Sequence, residues 1–109
     1  MEKLYHIPEG AQDFMEAPLI IRRGADVILC YDYEQENGRY GYKGILFRNC
    51  TEATHREESK IKFTDYRQAY NSVASGGGYF YIFFDGYGLY SFHADSFEPL
   101  NYGELEATL

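Results

Sequence analysis

The chain has 109 residues, of which 45% are hydrophobic and 25% charged. That is one domain, long enough for a single hydrophobic core but not for two, in a composition ordinary for a globular protein that argues against a disordered chain. Its formal net charge of −7 sets it against nucleic acid and anionic lipid, because each phosphate contact needs a Lys or Arg, and favours a basic protein partner.

No apolar run approaches the roughly 18 residues of a membrane span. The opening stretch MEKLYHIPEGAQDF has no apolar leader core. Two cysteines, Cys30 and Cys50, make no disulfide framework and read as reduced thiols. Together these features predict a cytoplasmic protein.

Residues 1–17 show no clean period, with a turn expected at Pro8-Glu9-Gly10. They read as a loosely structured arm before an α+β domain over 18–98 and an acidic tail over 99–109. Ala17 to Ile21 is an expected edge strand, with Pro18 at its start. Asp26 to Tyr33 alternates, with Val27, Leu29, Tyr31 and Tyr33 on one side and Ile28, Cys30 and Asp32 on the other. Asn37-Gly38 is a strong hairpin signal, since both central positions of a type I′ turn take positive φ. A two-residue turn there places Asp32 opposite Lys43 on the return strand, Tyr40 to Arg48, an unlike-charge pair that supports the register.

Asn49 to Glu58 is polar and suits an exposed continuation or a charged edge strand. Ser59 to Thr64 reads as a short strand. Over Asp65 to Ser75 the spacing predicts a helix: Asp65 and Gln68 can form a capping box, and Tyr66, Ala69, Tyr70 and Val73 fall on one stripe. Gly76-Gly77-Gly78 ends it.

Tyr79 to Phe84 is the most apolar run. Asp85-Gly86-Tyr87-Gly88 turns it back into Leu89 to His93. With a two-residue turn, Phe80, Ile82, Phe84 and Leu89 share one face, and Tyr79, Tyr81, Phe83, Tyr90 and Phe92 share the other. The tail carries Phe97, Leu100, Tyr102, Leu105 and Leu109 among acids, with a closing helical turn expected over Glu104 to Leu109.

The order of YDYE (Tyr31 to Glu34), GILF (Gly44 to Phe47), the charged patch to Glu57, the Ala69-Tyr70 segment and FDGYG (Phe84 to Gly88) resembles small bacterial α+β proteins with a strand–strand–helix–strand–strand plan. The likeness spans residues 27 to about 98; it implies a fold and carries no activity. The fold predicted is thus a single α+β domain: an antiparallel sheet of about five strands, built from hairpins 26–48 and 79–93, with one helix over 65–75 on one face.

No catalytic constellation emerges. His6, His55 and His93 have no second ligand at a metal spacing, and His55 beside Glu57 and Glu58 reads as a solvated edge. No Ser lies in a nucleophile elbow, and the glycine runs precede strands, unlike phosphate loops. The acid pairs Glu57/Glu58 and Glu34/Glu36 read as solvated. No cofactor or metal is expected.

The remaining signal is aromatic and acidic. There are twelve Tyr, eight Phe and no Trp, and after Arg67 the chain carries acids only: Asp85, Asp95, Glu98, Glu104 and Glu106. The expected binding surface is Tyr79, Tyr81, Phe83, Tyr90 and Phe92 with Asp85, Tyr87, Asp95 and Glu98, suited to a basic protein. The leading expectation is a non-enzymatic immunity or inhibitor protein. A homodimer closed through the Tyr face, and a small-molecule or enzymatic domain with a Tyr-lined pocket, are the alternatives.

Overall fold

A computed structural model describes residues 1–8, 17–34 and 37–109. The turn expected at Pro8-Glu9-Gly10 and the Glu34/Glu36 pair cannot be placed whole, because Glu9, Gly10 and Glu36 lie outside the described residues. The fold is α+β and antiparallel, and the chain forms two compact units by crossing between them. Met1–Pro8 and Thr51–Ala94 make the first; Glu9–Cys50 and Asp95–Leu109 make the second.

The first unit holds a sheet of β1 (Glu2–His6), β5 (Glu52–Arg56), β6 (Ser72–Gly76), β7 (Tyr79–Phe84) and β8 (Gly88–His93), in the order β1-β6-β7-β8-β5. The second holds β2 (Leu19–Arg23), β3 (Asp26–Glu34), β4 (Tyr40–Arg48) and β9 (Ser96–Leu100), in the order β2-β3-β4-β9, and the helix α1 (Tyr102–Thr108). The hairpins β3-β4 and β7-β8 and the polar edge strand β5 stand where the sequence puts them.

The helix predicted over 65–75 is replaced by two other structures. Phe63–Ala69 forms 3-10 turns broken at Tyr66, and Ser72–Gly76 is the strand β6. Asn71 takes a left-handed φ of 48°, which Asn tolerates better than most residues and which ends any helical path. Beyond it, the backbone of 72–76 gains ladder partners on both sides, β1 and β7. The glycines act as a hairpin turn: Gly77 and Gly78 sit at φ 58° and 86° between the pair Gly76 and Tyr79, the geometry of a type I′ loop. The capping box belongs instead to α1, where the Asn101 side chain accepts from Glu104 N–H at 2.9 Å and the Glu104 carboxylate accepts from Asn101 N–H at 3.1 Å.

Three further expectations give way. Glu2–His6 pairs with β6 and so belongs to the sheet. Ser59 to Thr64 is no strand, because 3-10 turns run through Glu58–Lys60 and from Phe63. The acidic tail is not a separate appendage: it forms β9 against β4, and the closing helical turn expected over Glu104 to Leu109 is present within α1, whose Leu105 is buried.

Both hairpin registers are shifted by one residue from the two-residue turns expected. Tyr31 stands opposite Lys43, and Asp32 opposite Tyr42; the Lys43 ammonium instead lies 4.6 Å from the Tyr33 ring centroid, a cation–π contact. In the second hairpin Phe84 pairs with Gly88, leaving Asp85, Gly86 and Tyr87 as the loop. Gly88 must be glycine. Its φ is +105°, and a Cβ there would come within 2.1 Å of the Arg56 carbonyl oxygen and 2.8 Å of the Glu58 nitrogen. The chain leaving β5 runs directly over this turn.

This register decides the faces. Ile82, Phe84, Tyr90 and Phe92, all buried, lie together on one face of the first sheet. On the other, Ala74, Phe83 and Leu89 cluster with Ala69, and Ile61, Tyr66 and Tyr81 pack around them. In the second unit Leu105 closes a cluster with Ile28, Leu46 and Leu100, with Cys30 packed at its side. The opposite face of that sheet carries buried Val27, Leu29, Tyr31, Ile45 and Phe47.

Candidate binding groove on the first sheet

Strands β5, β8 and β7 lie side by side, and every second residue of each faces outward. Pairing sets Glu52 beside His93, Thr54 beside Ser91, and Ser91 beside Tyr81. Tyr66, brought over the sheet by the 3-10 segment, stands against Tyr81 with ring centroids 5.5 Å apart. The result is an open groove of about 410 Å³ lined by Glu52, Thr54, Arg56, Tyr66, Tyr79, Tyr81 and Ser91.

Its polar groups are ordered. The Tyr79 hydroxyl donates to Glu52 Oε2 at 2.7 Å. Tyr79 stacks on Tyr81 with centroids 5.9 Å apart and meets the His93 ring edge-on at 5.2 Å. His93 Nδ1 is 2.8 Å from Thr51 Oγ1, and Arg56 donates to the Lys60 carbonyl at 3.0 Å. The hydrogen bond to Glu52, then burial, raises the Tyr79 phenol above its ordinary range. Burial, then the neighbouring Tyr66 and Glu52, raises Tyr81. Both therefore stay protonated at neutral pH, as amphipathic rings with hydroxyls that donate and accept.

A second recess lies alongside. A cleft of about 310 Å³ is lined by Glu58, Phe63, Tyr70, Phe83 and Asp85. Phe83 is its buried floor, while Phe63 and Tyr70 are each 40% exposed. Glu58 Oε2 accepts from the Gly86 N–H at 3.1 Å, fastening the segment after β5 to the hairpin loop. The second unit has a smaller apolar recess of about 150 Å³, lined by Cys30, Tyr42, Tyr102, Leu105, Glu106 and Leu109. There burial, then the charge of Asp32, raises the Cys30 thiol, the opposite of what an activated nucleophile needs.

The surface expected from sequence is divided by this geometry. Tyr79 and Tyr81 share the groove, and Phe83 lies on the same face but buried. Tyr90 and Phe92 are buried on the opposite face, a consequence of the shifted register. Burial pushes the Tyr90 phenol up to about 12, with Tyr87 contributing. Asp85 and Tyr87 sit in the hairpin loop, where His55 Nε2 meets the Tyr87 carbonyl and the His55 ring stacks on Tyr90 at 4.4 Å. Asp95 and Glu98 belong to the second unit, held by Asn49 at 2.8 Å and Arg48 at 3.3 Å.

Sequence reasoning missed Glu52, Thr54, Arg56, Tyr66 and Ser91. The alternation of β5 held the signal, and its pairing with β8 was the missing link.

Comparison with protein-family models, with curated proteins and with solved structures found no match to this chain. Among the described residues no group of three or more His, Cys, Asp or Glu is placed to hold a metal, and no helix is long and apolar enough to cross a membrane.

Proposed function

We propose that the protein is a non-enzymatic binding module that engages a basic protein. The carrying observation is the row of solvent-facing rings on the outer side of the first sheet: Tyr66, Tyr79 and Tyr81 half-exposed in the groove, Phe63 and Tyr70 more exposed beside it. Large aromatic side chains left open beside hydrogen-bonding groups are the usual anchors of a protein interface. The charge of −7 supports a basic partner, by drawing it in and orienting it before contact.

The most specific form of this reading is an immunity or inhibitor protein that covers the nucleic-acid site of a basic bacterial enzyme. Its warrant is resemblance in charge and composition. The test is capture of partners on the immobilised protein at low salt, followed by affinity measurement with the purified partner. The reading expects a basic protein whose binding weakens as salt rises and falls at least tenfold in a Tyr79→Ala/Tyr81→Ala variant, since central aromatic anchors contribute about 2 kcal/mol or more each. A partner that is acidic, or held equally at high salt, would overturn it.

The groove itself favours a second reading, a small neutral polar ligand seated on Tyr66 and Tyr81 between Glu52 and Ser91. A ligand that perturbs only those groove residues, with no protein partner captured, would favour it over the first.

A further inference from the structure

We infer that the cleft lined by Phe63, Tyr70, Phe83, Glu58 and Asp85 is the seat of an arginine side chain of the basic partner, lying on the ring cluster, an assignment that rests on the reading above and makes it specific. The three rings touch one another: centroids lie 5.5 Å apart for Phe63 and Tyr70, 5.0 Å for Phe63 and Phe83, and 6.0 Å for Tyr70 and Phe83. They leave no space between them for a cation and form a platform, its floor buried and its two outer rings 40% exposed.

Two carboxylates, Glu58 and Asp85, line the same cleft. They come from different segments, brought together because Gly88 lets the chain after β5 cross the hairpin turn and because Gly86 N–H fastens Glu58 there. The nearby cations Lys60 and Lys62 are not among the lining residues.

An aromatic platform flanked by two acids selects a particular group. A ring face attracts a cation through its quadrupole, and the attraction grows as water is excluded. A planar guanidinium can lie flat on a ring while its N–H fork reaches carboxylates at its edge; an ammonium offers a point charge and cannot stack. A neutral apolar side chain would leave Glu58 and Asp85 without the counter-charge that the cleft provides for. The chemistry therefore favours arginine first, lysine second and uncharged side chains last.

The experiment is a titration of the full chain, followed by backbone amide NMR, with Nα-acetyl-arginine amide, its lysine counterpart and the neutral isostere Nα-acetyl-citrulline amide. Shifts confined to residues 58, 63, 70 and 83–86, stronger for arginine than for lysine and absent for citrulline, are expected. Glu58→Gln keeps an acceptor for Gly86 N–H, and Asp85→Asn lies in an exposed loop, so both variants should fold; together they should weaken arginine binding about fivefold. Shifts spread evenly over the acidic surface, an equal citrulline response, or unchanged affinity in a well-folded double variant would overturn the assignment. If a basic partner is captured and the double variant binds it as well as the parent chain does, the cleft assignment fails while the wider reading stands. If arginine seats in the cleft but every captured partner is acidic or held equally at high salt, the cleft's preference for arginine stands, while its assignment to a basic partner and the wider reading both fail.

Discussion

At the scale of single residues, tyrosine does most to set the protein's character. The same side chain serves as core in Tyr90 and as surface in Tyr79, and register alone decides which. Tyr90 has a testable signature. Its phenol is raised to about 12 in the folded state, against an ordinary value near ~10 in the unfolded chain. Below pH ~10 both states keep the proton and the full stabilisation is present; between there and about 12 the unfolded state ionises first, so stability falls as pH rises. Alkaline unfolding in that window, with a flatter slope against pH in Tyr90→Phe, is expected from urea melts across the range. A slope unchanged by the substitution would place the alkaline sensitivity elsewhere.

At the scale of elements, strand pairing overrides local helical pattern. Asp65 to Ser75 has a cap, a stripe and a glycine stop, yet it becomes 3-10 turns and a strand. Residues 72–76 can bond to a strand on each side, more backbone satisfaction than a short exposed helix gains on its own. No local window displays that, because β1 lies at the far end of the segment pairing. Alternation made β3, β4, β7 and β8 legible, and charge made β5 legible as an edge. Loop length was not legible: a two-residue and a three-residue loop differ little in sequence, yet the difference moved Tyr90 and Phe92 across the sheet.

The site was half visible for the same reason, with Tyr79 and Tyr81 foreseen and their β5 neighbours not. The small helix α1 also has an outsized role. Leu105 fills the space over Gly44, where an added Cβ would lie 2.9 Å from the Leu105 side chain. Leu105→Ala should cost about 2–4 kcal/mol, while Asn101→Ala, losing only the cap, should cost about 1 kcal/mol. Chemical denaturation of the two variants checks the ranking, and equal losses would mean that α1 is held by its cap and not by packing.

At the scale of the whole molecule, charge is unevenly shared. By sequence range the first unit holds six acids and five bases, a net of −1, and the second holds eleven acids and five bases, a net of −6. The aromatic groove thus belongs to the nearly neutral unit. The earlier picture of one acidic aromatic surface becomes two separate properties, anchoring in one unit and most of the field in the other. Self-repulsion among like charges weakens a compact state and is screened by salt. The melting temperature should therefore rise by a few degrees between about 0.01 and 0.3 M sodium chloride; a fall over that range would show that specific ion pairs such as Arg48–Glu98 matter more.

The interleaving of the two units also has a consequence in time. On a ribosome β1 is made early, but its contact across the sheet, His6 to Ser72, spans 66 positions of chain. At about 5–20 residues per second, that strand waits on the order of 3–13 s for its partner. The second sheet is completed later still, because β9 follows every strand of the first unit. During synthesis the open edge of β4 is thus an early hydrophobic surface without its neighbour. A holding chaperone supplied during cell-free synthesis should therefore raise the yield of folded chain, while the finished fold, with β9 paired to β4, should not bind it.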